Sequence, residues 1–347
     1  MKRLRIRILA ASLAAGCLAA CGGTGLSPSS PAMVASQVAP PRSFSARSVS
    51  LPPTGHANLY VLNTTGTVTV YAPGSKTVLR TISQGLKSPD AFGFDSSGNL
   101  FVANHSSNTV TVYASGKTSV LRTISQGVSS PTVLALDGAD NLYVANNGYV
   151  TVYAPSSDKA LRTISKGLGV TAALVFGSAG DLYAANHLDS TVNVYRRGSS
   201  KLLRAISQGV DGPSALAFDS SGNLYVANHS TPSTVTVYAP GSRTVLHTIS
   251  KGVSSPLAEA FDSAGILYVA NQFPAGTVTE YAAGTNTLLR TISEGMHYSG
   301  ALAFDGSRNL YAANSNNTVT VYAPGHKKVM RTISQGVDGP IGLAFGP

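Results

Sequence analysis

Cysteine is almost absent from this chain. Of 347 residues only Cys17 and Cys21 carry a thiol. Both lie near the start, so the rest of the chain has no disulfide framework, no thiolate metal site and no cysteine nucleophile, and its stability must come from packing. Long apolar runs are also missing. The one hydrophobic stretch, 8–20, is too short to cross a bilayer as a helix. Nothing after it has a helical period. There is no nucleophile elbow, no phosphate-binding glycine loop, no His-Glu-x-x-His and no Cys-x-x-Cys. No Ser–His–Asp set can be placed by motif.

What the N-terminus does contain reads as an address. Lys2, Arg3, Arg5 and Arg7 precede the short apolar run, which ends in Leu18-Ala19-Ala20-Cys21 followed by Gly22-Gly23. The segment resembles a bacterial lipobox, which implies cleavage before Cys21 and acylation of that residue. The alternative is an ordinary secretory signal cut nearby. Cys17 fits less well, because Ala14 stands where a lipobox has Leu. Gly22 in place of Asp favours export to an outer membrane in a Gram-negative source. The expected segments are a signal over 1–20, a Ser/Pro/Ala-rich flexible tether over 21–55 and one folded domain over 56–347. The formal charge is +10, and removing the four signal cations leaves 21 basic against 15 acidic residues. That surplus is modest and makes no case for nucleic acid.

The domain is built from repeats. Asn-Leu-Tyr-Val-Ala-Asn recurs with small changes, ending at Asn63, Asn104, Asn146, Asn186, Asn228, Asn271 and Asn314. Thr-Val-Thr-Val-Tyr, Leu-Arg-Thr-Ile-Ser and Ala-Leu-Ala-Phe-Asp recur in the same order, seven copies each, at spacings of 40 to 43 residues. Each phrase is short, rich in Val, Ile, Thr and Tyr, and bounded by Gly, Ser, Asn and Pro, which marks a strand. Four strands per period of about 40 residues is the mark of a propeller blade. The expected fold is therefore all-β, a seven-bladed β-propeller with four-stranded blades.

The phrase with the smallest side chains, Ala-Leu-Ala-Phe, suits the crowded axis and is taken as strand a. The Leu-Tyr-Val, Thr-Val-Thr-Val-Tyr and Arg-Thr-Ile phrases then follow as b, c and the outer d. On this order the domain starts on a b strand and ends on a lone a strand, so the C-terminal strand should complete the first blade and cover an open sheet edge. Thirteen of the fifteen tyrosines fall at b or c positions and are core residues first.

The phrases Leu-Tyr-Val-Ala-Asn, Thr-Val-Thr-Val-Tyr and Arg-Thr-Ile-Ser-Gln-Gly, with a Pro before the inner strand at Pro89, Pro131, Pro213, Pro256 and Pro340, resemble the YVTN and NHL classes of β-propeller over about residues 57–347. The resemblance implies the fold and a binding site on the face formed by the b–c and d–a loops, here called the top. It does not imply one activity, because these classes include binding scaffolds, surface proteins, hydrolases and lyases.

Residues that break the repeat are the informative ones. His105, His187 and His229 follow the ring asparagine in blades 2, 4 and 5. Side-chain reach allows His187 and His229, in adjacent blades, to meet; His105 is two blades from His187 and should stay apart. A polar turn residue is the plainer reading of all three, and no metal site is assigned. Glu259 stands in strand a where other blades have Phe92, Leu134, Leu174, Leu216, Leu302 and Leu343. A carboxylate there is either paired or has its pKa raised by desolvation, in a functional or a structural role. Tyr149 and Tyr298, the latter beside His297, fall outside the repeated tyrosine positions and are placed in top-face loops, as ring-stacking residues or as loop packing. Asp90 stands near the top of strand a as a possible hard-cation ligand.

The opposite face is basic. Its c–d turns carry Lys76, Lys117, Lys159, Lys201, Arg243 and Lys327-Lys328, and most d strands add an arginine. Docking on an anionic surface and protection of exposed sheet edges both account for such a ring. The expected role is a non-catalytic, monomeric binding or scaffold protein of the cell envelope, lipid-anchored, with an envelope protein or a carbohydrate as ligand and no cofactor. A propeller lyase or hydrolase built on Glu259 and a top-face histidine is the second reading. A purely structural surface protein is the third.

Overall fold

The computed structural model describes residues 57–347; Cys21 and the segments 1–20 and 21–55 lie outside them. Among the described residues 28 strands, β1 to β28 in chain order, form seven four-stranded antiparallel sheets. The first blade consists of β1 (Asn58–Asn63), β2 (Thr67–Tyr71), β3 (Val78–Ile82) and, from the far end of the sequence, β28 (Pro340–Gly346). Blades 2 to 7 follow consecutively over 89–124, 133–164, 171–206, 213–249, 256–292 and 301–333. The a strands of neighbouring blades contact one another, so they surround the axis, as their small side chains suggest. The expected closure is present, with β28 pairing to β1 from Asn58↔Gly346 to Asn63↔Pro340.

Both faces of each blade are buried, which explains the double apolar content of the c strands. Val68 and Val70 pack with Val102 and Tyr113 of blade 2, while Tyr71 packs with Val319 and Ile333 of blade 7. Strand alternation requires this split.

A polar clamp joins each pair of blades. The seven c-strand tyrosines are buried, yet each hydroxyl donates to a carbonyl in the loop arriving from the preceding blade, at 2.5 to 2.7 Å. The Oδ1 of each ring asparagine accepts a backbone N–H from that same loop at 2.8 to 3.3 Å. A mid-strand Thr often adds a third bond, as Thr151 does to Gly127 O at 2.6 Å. The clamp needs glycine in the loop. Gly336 has φ +70°, and a Cβ there would lie 2.7 Å from Val78 Cγ2.

The outer strands have a second repeated device. In blades 1 to 6 the c–d pairing slips by one residue, as where Val70 pairs with Arg80 and Tyr71 with Val78. Leu79 is the extra residue of that β-bulge, and bulges of this kind blunt a free sheet edge. The d-strand arginines fold inward. Arg80, Arg162, Arg204 and Arg331 donate to the hydroxyls of Tyr60, Tyr143, Tyr183 and Tyr311 at 2.5 to 2.7 Å.

Because the clamp carbonyls are buried between blades, removing one hydroxyl leaves a carbonyl without its partner. Tyr195→Phe, which strips the donor from Lys166 O, is expected to cost about 1–3 kcal/mol. Denaturant titration checks this, with exposed Tyr298→Phe as a control expected within about 0.5 kcal/mol of the parent.

Candidate functional site

The top face loses its symmetry over blades 4 to 7. The His187 and His229 rings meet with centroids 6.2 Å apart, and His229 Nε2 faces Gln272 Oε1 at 3.4 Å. Three adjacent blades thus present a continuous His–His–Gln row. His187 Nδ1 lies 3.3 Å from the Pro213 carbonyl, which can only accept, so Nδ1 carries the proton and Nε2 is left as an acceptor. Burial, the largest influence, lowers the His187 pKa, with backbone contacts opposing it, so the ring stays neutral at neutral pH.

Next to this row stands an aromatic pair. Phe273 and Tyr298 are 50 % and 43 % exposed, with ring centroids 6.4 Å apart in an edge-to-face arrangement. Tyr298 has φ +44°, in the left-handed region. The equivalent residues Ser88, Ser130 and Ser255, and Gly212 and Gly339, share that conformation. A bulky side chain there is costly, by about 1–3 kcal/mol, and such strain collects at functional sites. His297, its neighbour, is exposed and donates its backbone N–H to Asn314. Tyr149 instead heads the c strand of blade 3 (Tyr149–Tyr153), so the expected loop position was off by one element.

His105 stays apart from the other histidines. Its Nδ1 is 3.2 Å from Asp90 Oδ2, whose side chain is buried at the top of the inner strand of blade 2. Among the described residues no three His, Cys, Asp or Glu side chains gather as metal ligands. The top face as a whole is net acidic: Lys87, Lys166 and Lys251 are its basic residues, against Asp90, Asp189, Asp211, Glu294 and Asp338.

Glu259 is half-buried as a residue, but both carboxylate oxygens are buried. It replaces an apolar side chain of the blade 5–6 interface, since Ala258 and Ala260 on either side of it pack towards blade 7. Burial raises its pKa well above the ordinary range, and the backbone near Ala217 and Ala227 draws it back only in part. Neither oxygen completes a well-formed hydrogen bond, and no histidine pairs with it.

A second buried acid, which the repeat pattern shows but sequence reasoning passed over, is Glu280. It stands where the other c strands have Val70, Val112, Val152, Val194, Val237 and Val321. Arg290 Nε lies 3.0 Å from its Oε2, a charge contact without good hydrogen-bond alignment. Burial is the largest influence and raises the Glu280 pKa to about 7, against the opposing charge of Arg290. Nearby, Ile266 replaces the usual turn asparagine, and Arg308 of blade 7 takes its place on buried Asp262 Oδ2 at 2.7 Å. This bottom-side network lies away from the His–His–Gln row.

The comparisons with known proteins fit this fold. No family model matches the chain, and no curated protein matches it. Among solved structures, a functionally unknown protein from Desulfotomaculum acetoxidans superposes with TM-score 0.71 at 14% identity, over 84% of this chain and 99% of that one. The computationally designed Ika8 protein gives 0.64 at 16%, over 87% and 95%. The WD40 β-propeller domain of Doa1 gives 0.65 at 13%, over 77% and 90%. At these identities the likeness is one of fold, a β-propeller.

Two substitutions separate the acids from the site. Glu259→Leu restores the apolar residue of the other blades and is expected to stabilise by about 1–3 kcal/mol near neutral pH. Glu280→Val should remove a pH-dependent component. With a folded pKa of about 7 against 4.5 unfolded, the unfolded chain ionises first, so this residue's penalty grows as pH rises through that window and is absent below it. Melting curves between about pH 4 and pH 8 should show the parent losing stability relative to Glu280→Val as pH rises.

Proposed function

We propose that the chain is a non-catalytic binding protein of the cell envelope that presents the top face of blades 4 to 7 to a carbohydrate ligand. The observation that carries the reading is Tyr298, a large exposed aromatic held at φ +44° where five of the six other blades place Ser or Gly, next to exposed Phe273. An exposed ring pair beside a row of hydrogen-bonding His187, His229 and Gln272 side chains suits a ligand with both apolar faces and hydroxyls. The Leu-Tyr-Val-Ala-Asn and Thr-Val-Thr-Val-Tyr phrases support a place among the YVTN and NHL propellers. The lipobox-like Leu18–Cys21 supports a lipid anchor at Cys21. A protein ligand would use the same aromatic pair. The catalytic reading is weaker, because the Glu259 carboxylate is enclosed between blades and no histidine is bonded to it.

The test uses the strained residue. Tyr298→Ser installs the residue of blades 2, 3 and 6 and should leave the melting temperature unchanged or raised. In a screen of bacterial surface glycans and cell-wall fragments by fluorescence anisotropy, the parent should bind at least one class, and Tyr298→Ser and Phe273→Ala should each weaken it about tenfold or more. Binding that both variants retain in full would remove the site, and a parent that binds no glycan would remove the carbohydrate reading.

A further inference from the structure

The basic face carries a second repeated feature that edge protection does not explain. The bulge residue of each outer strand is apolar and exposed: Leu79 53 %, Leu121 58 %, Leu161 56 %, Leu203 40 %, Leu246 55 % and Leu289 44 %. In blade 7 the corresponding Met330 is 50 % exposed. A bulge alone blunts the edge, and a polar residue at its tip would serve that purpose better. Here every blade turns out a large apolar side chain instead.

In blades 1 to 6 the leucine sits one residue into its d strand, at the end next to the c–d turn, and in blade 7 Met330 immediately precedes β27 (Arg331–Ile333). The c–d turns of all blades but the sixth carry an exposed cation, such as Lys76, Lys201 or Lys327. Among the described residues none of these turn cations forms an ion pair. The d-strand arginines behave differently, because most are engaged with tyrosine hydroxyls. The perimeter of this face is therefore a ring of single exposed apolar side chains, accompanied in every blade but the sixth by an exposed turn cation. The turns and d strands of this face carry sixteen Lys and Arg against eight aspartates in its turns, a net basic balance, whereas the top face has three lysines against five acids.

The chain's own connection points the same way. Asn58 pairs with Gly346 at the a–b turn end of the first blade, so the described chain begins at the basic face. Tyr60 donates to the Pro347 carbonyl at 2.6 Å, which places the C-terminal residue there too.

We infer that the basic face of the propeller seats on a bilayer containing anionic phospholipid, with the turn cations and the ring of bulge leucines together in its headgroup layer. The partner follows from the spacing. One exposed apolar side chain per blade is too scattered to form the contiguous patch of a protein interface. A fluid lipid surface accepts separated insertion points, and anionic headgroups attract each nearby cation. The seating turns the acidic top face away from the membrane. It does not depend on acylation of Cys21 or on a carbohydrate ligand.

The experiment uses the chain from Pro40 to Pro347, which holds the 28 described strands, the ring closure and no cysteine. A cooperative melt first establishes that it is folded. Sedimentation with phosphatidylcholine vesicles, with and without phosphatidylglycerol, then reads binding. Binding should require phosphatidylglycerol, weaken with added salt, and fall about tenfold or more in Lys76→Glu/Lys201→Glu/Lys327→Glu. A polarity-sensitive dye on Leu121→Cys should shift to the blue on these vesicles, and the same dye on Tyr298→Cys should not. No binding by the folded domain, binding that charge reversal leaves intact, or a dye shift only at Tyr298→Cys would overturn the proposal. So would capture by a soluble anionic polysaccharide without capture by the vesicles.

Discussion

The ring is held by a buried polar clamp on the loop that brings the chain from one blade to the next. Such a loop has carbonyls and amides that leave water when blades stack, and each one left unsatisfied costs far more than a bond made elsewhere gains. The c-strand Tyr hydroxyl, the ring Asn amide and often a mid-strand Thr answer these groups in place. Their spacing in the b and c phrases cannot drift without unpairing a buried group, and the loop glycine must keep its positive φ to let them approach. With no cysteine among the described residues, the ring holds together through seven copies of this arrangement and the apolar layers around it.

That constraint leaves the blades little freedom inside and more at the ends of the strands. Departures from the repeat within the core come in compensated sets. Ile266 removes a turn asparagine, and Arg308 from the neighbouring blade donates to the buried Asp262 carboxylate in its place. Glu280 displaces a valine, and Arg290 approaches it instead of Tyr268, whose counterparts in four other blades receive the d-strand arginine. Glu259 has no side-chain partner, and the backbone near Ala217 and Ala227 offsets its burial only in part, which makes it a cost to stability wherever its role lies. The departures on the top face, from His187 to Tyr298, are different in kind, because they adjoin one another at the surface, with Phe273 and Tyr298 exposed and His187, His229 and Gln272 half-buried.

Much of the candidate site was legible as breaks in the repeat. His187 and His229 were readable as neighbours because blade order follows chain order, and the same reasoning kept His105 apart. Glu280 broke the Thr-Val-Thr-Val-Tyr phrase just as openly but gave no sign of a partner, since Arg290 looks like every other d-strand arginine until the opposing residue changes. Phe273 was hidden in a loop of unequal length, where there is no repeat position to compare. The bulge leucines were hidden for the opposite reason: a residue present in every copy reads as core.

The sequence by itself determined the number of blades, the four strands in each and the closure by the last strand, because these follow from local periodicity and the count of phrases. Only the tertiary structure decided which conserved-looking apolar residues face water and which breaks in the repeat meet. Exposure depends on the slip in c–d pairing that turns Leu79 outward, and meeting depends on side chains from separate blades converging across the top. Both are relations between strands, and a linear pattern does not contain them.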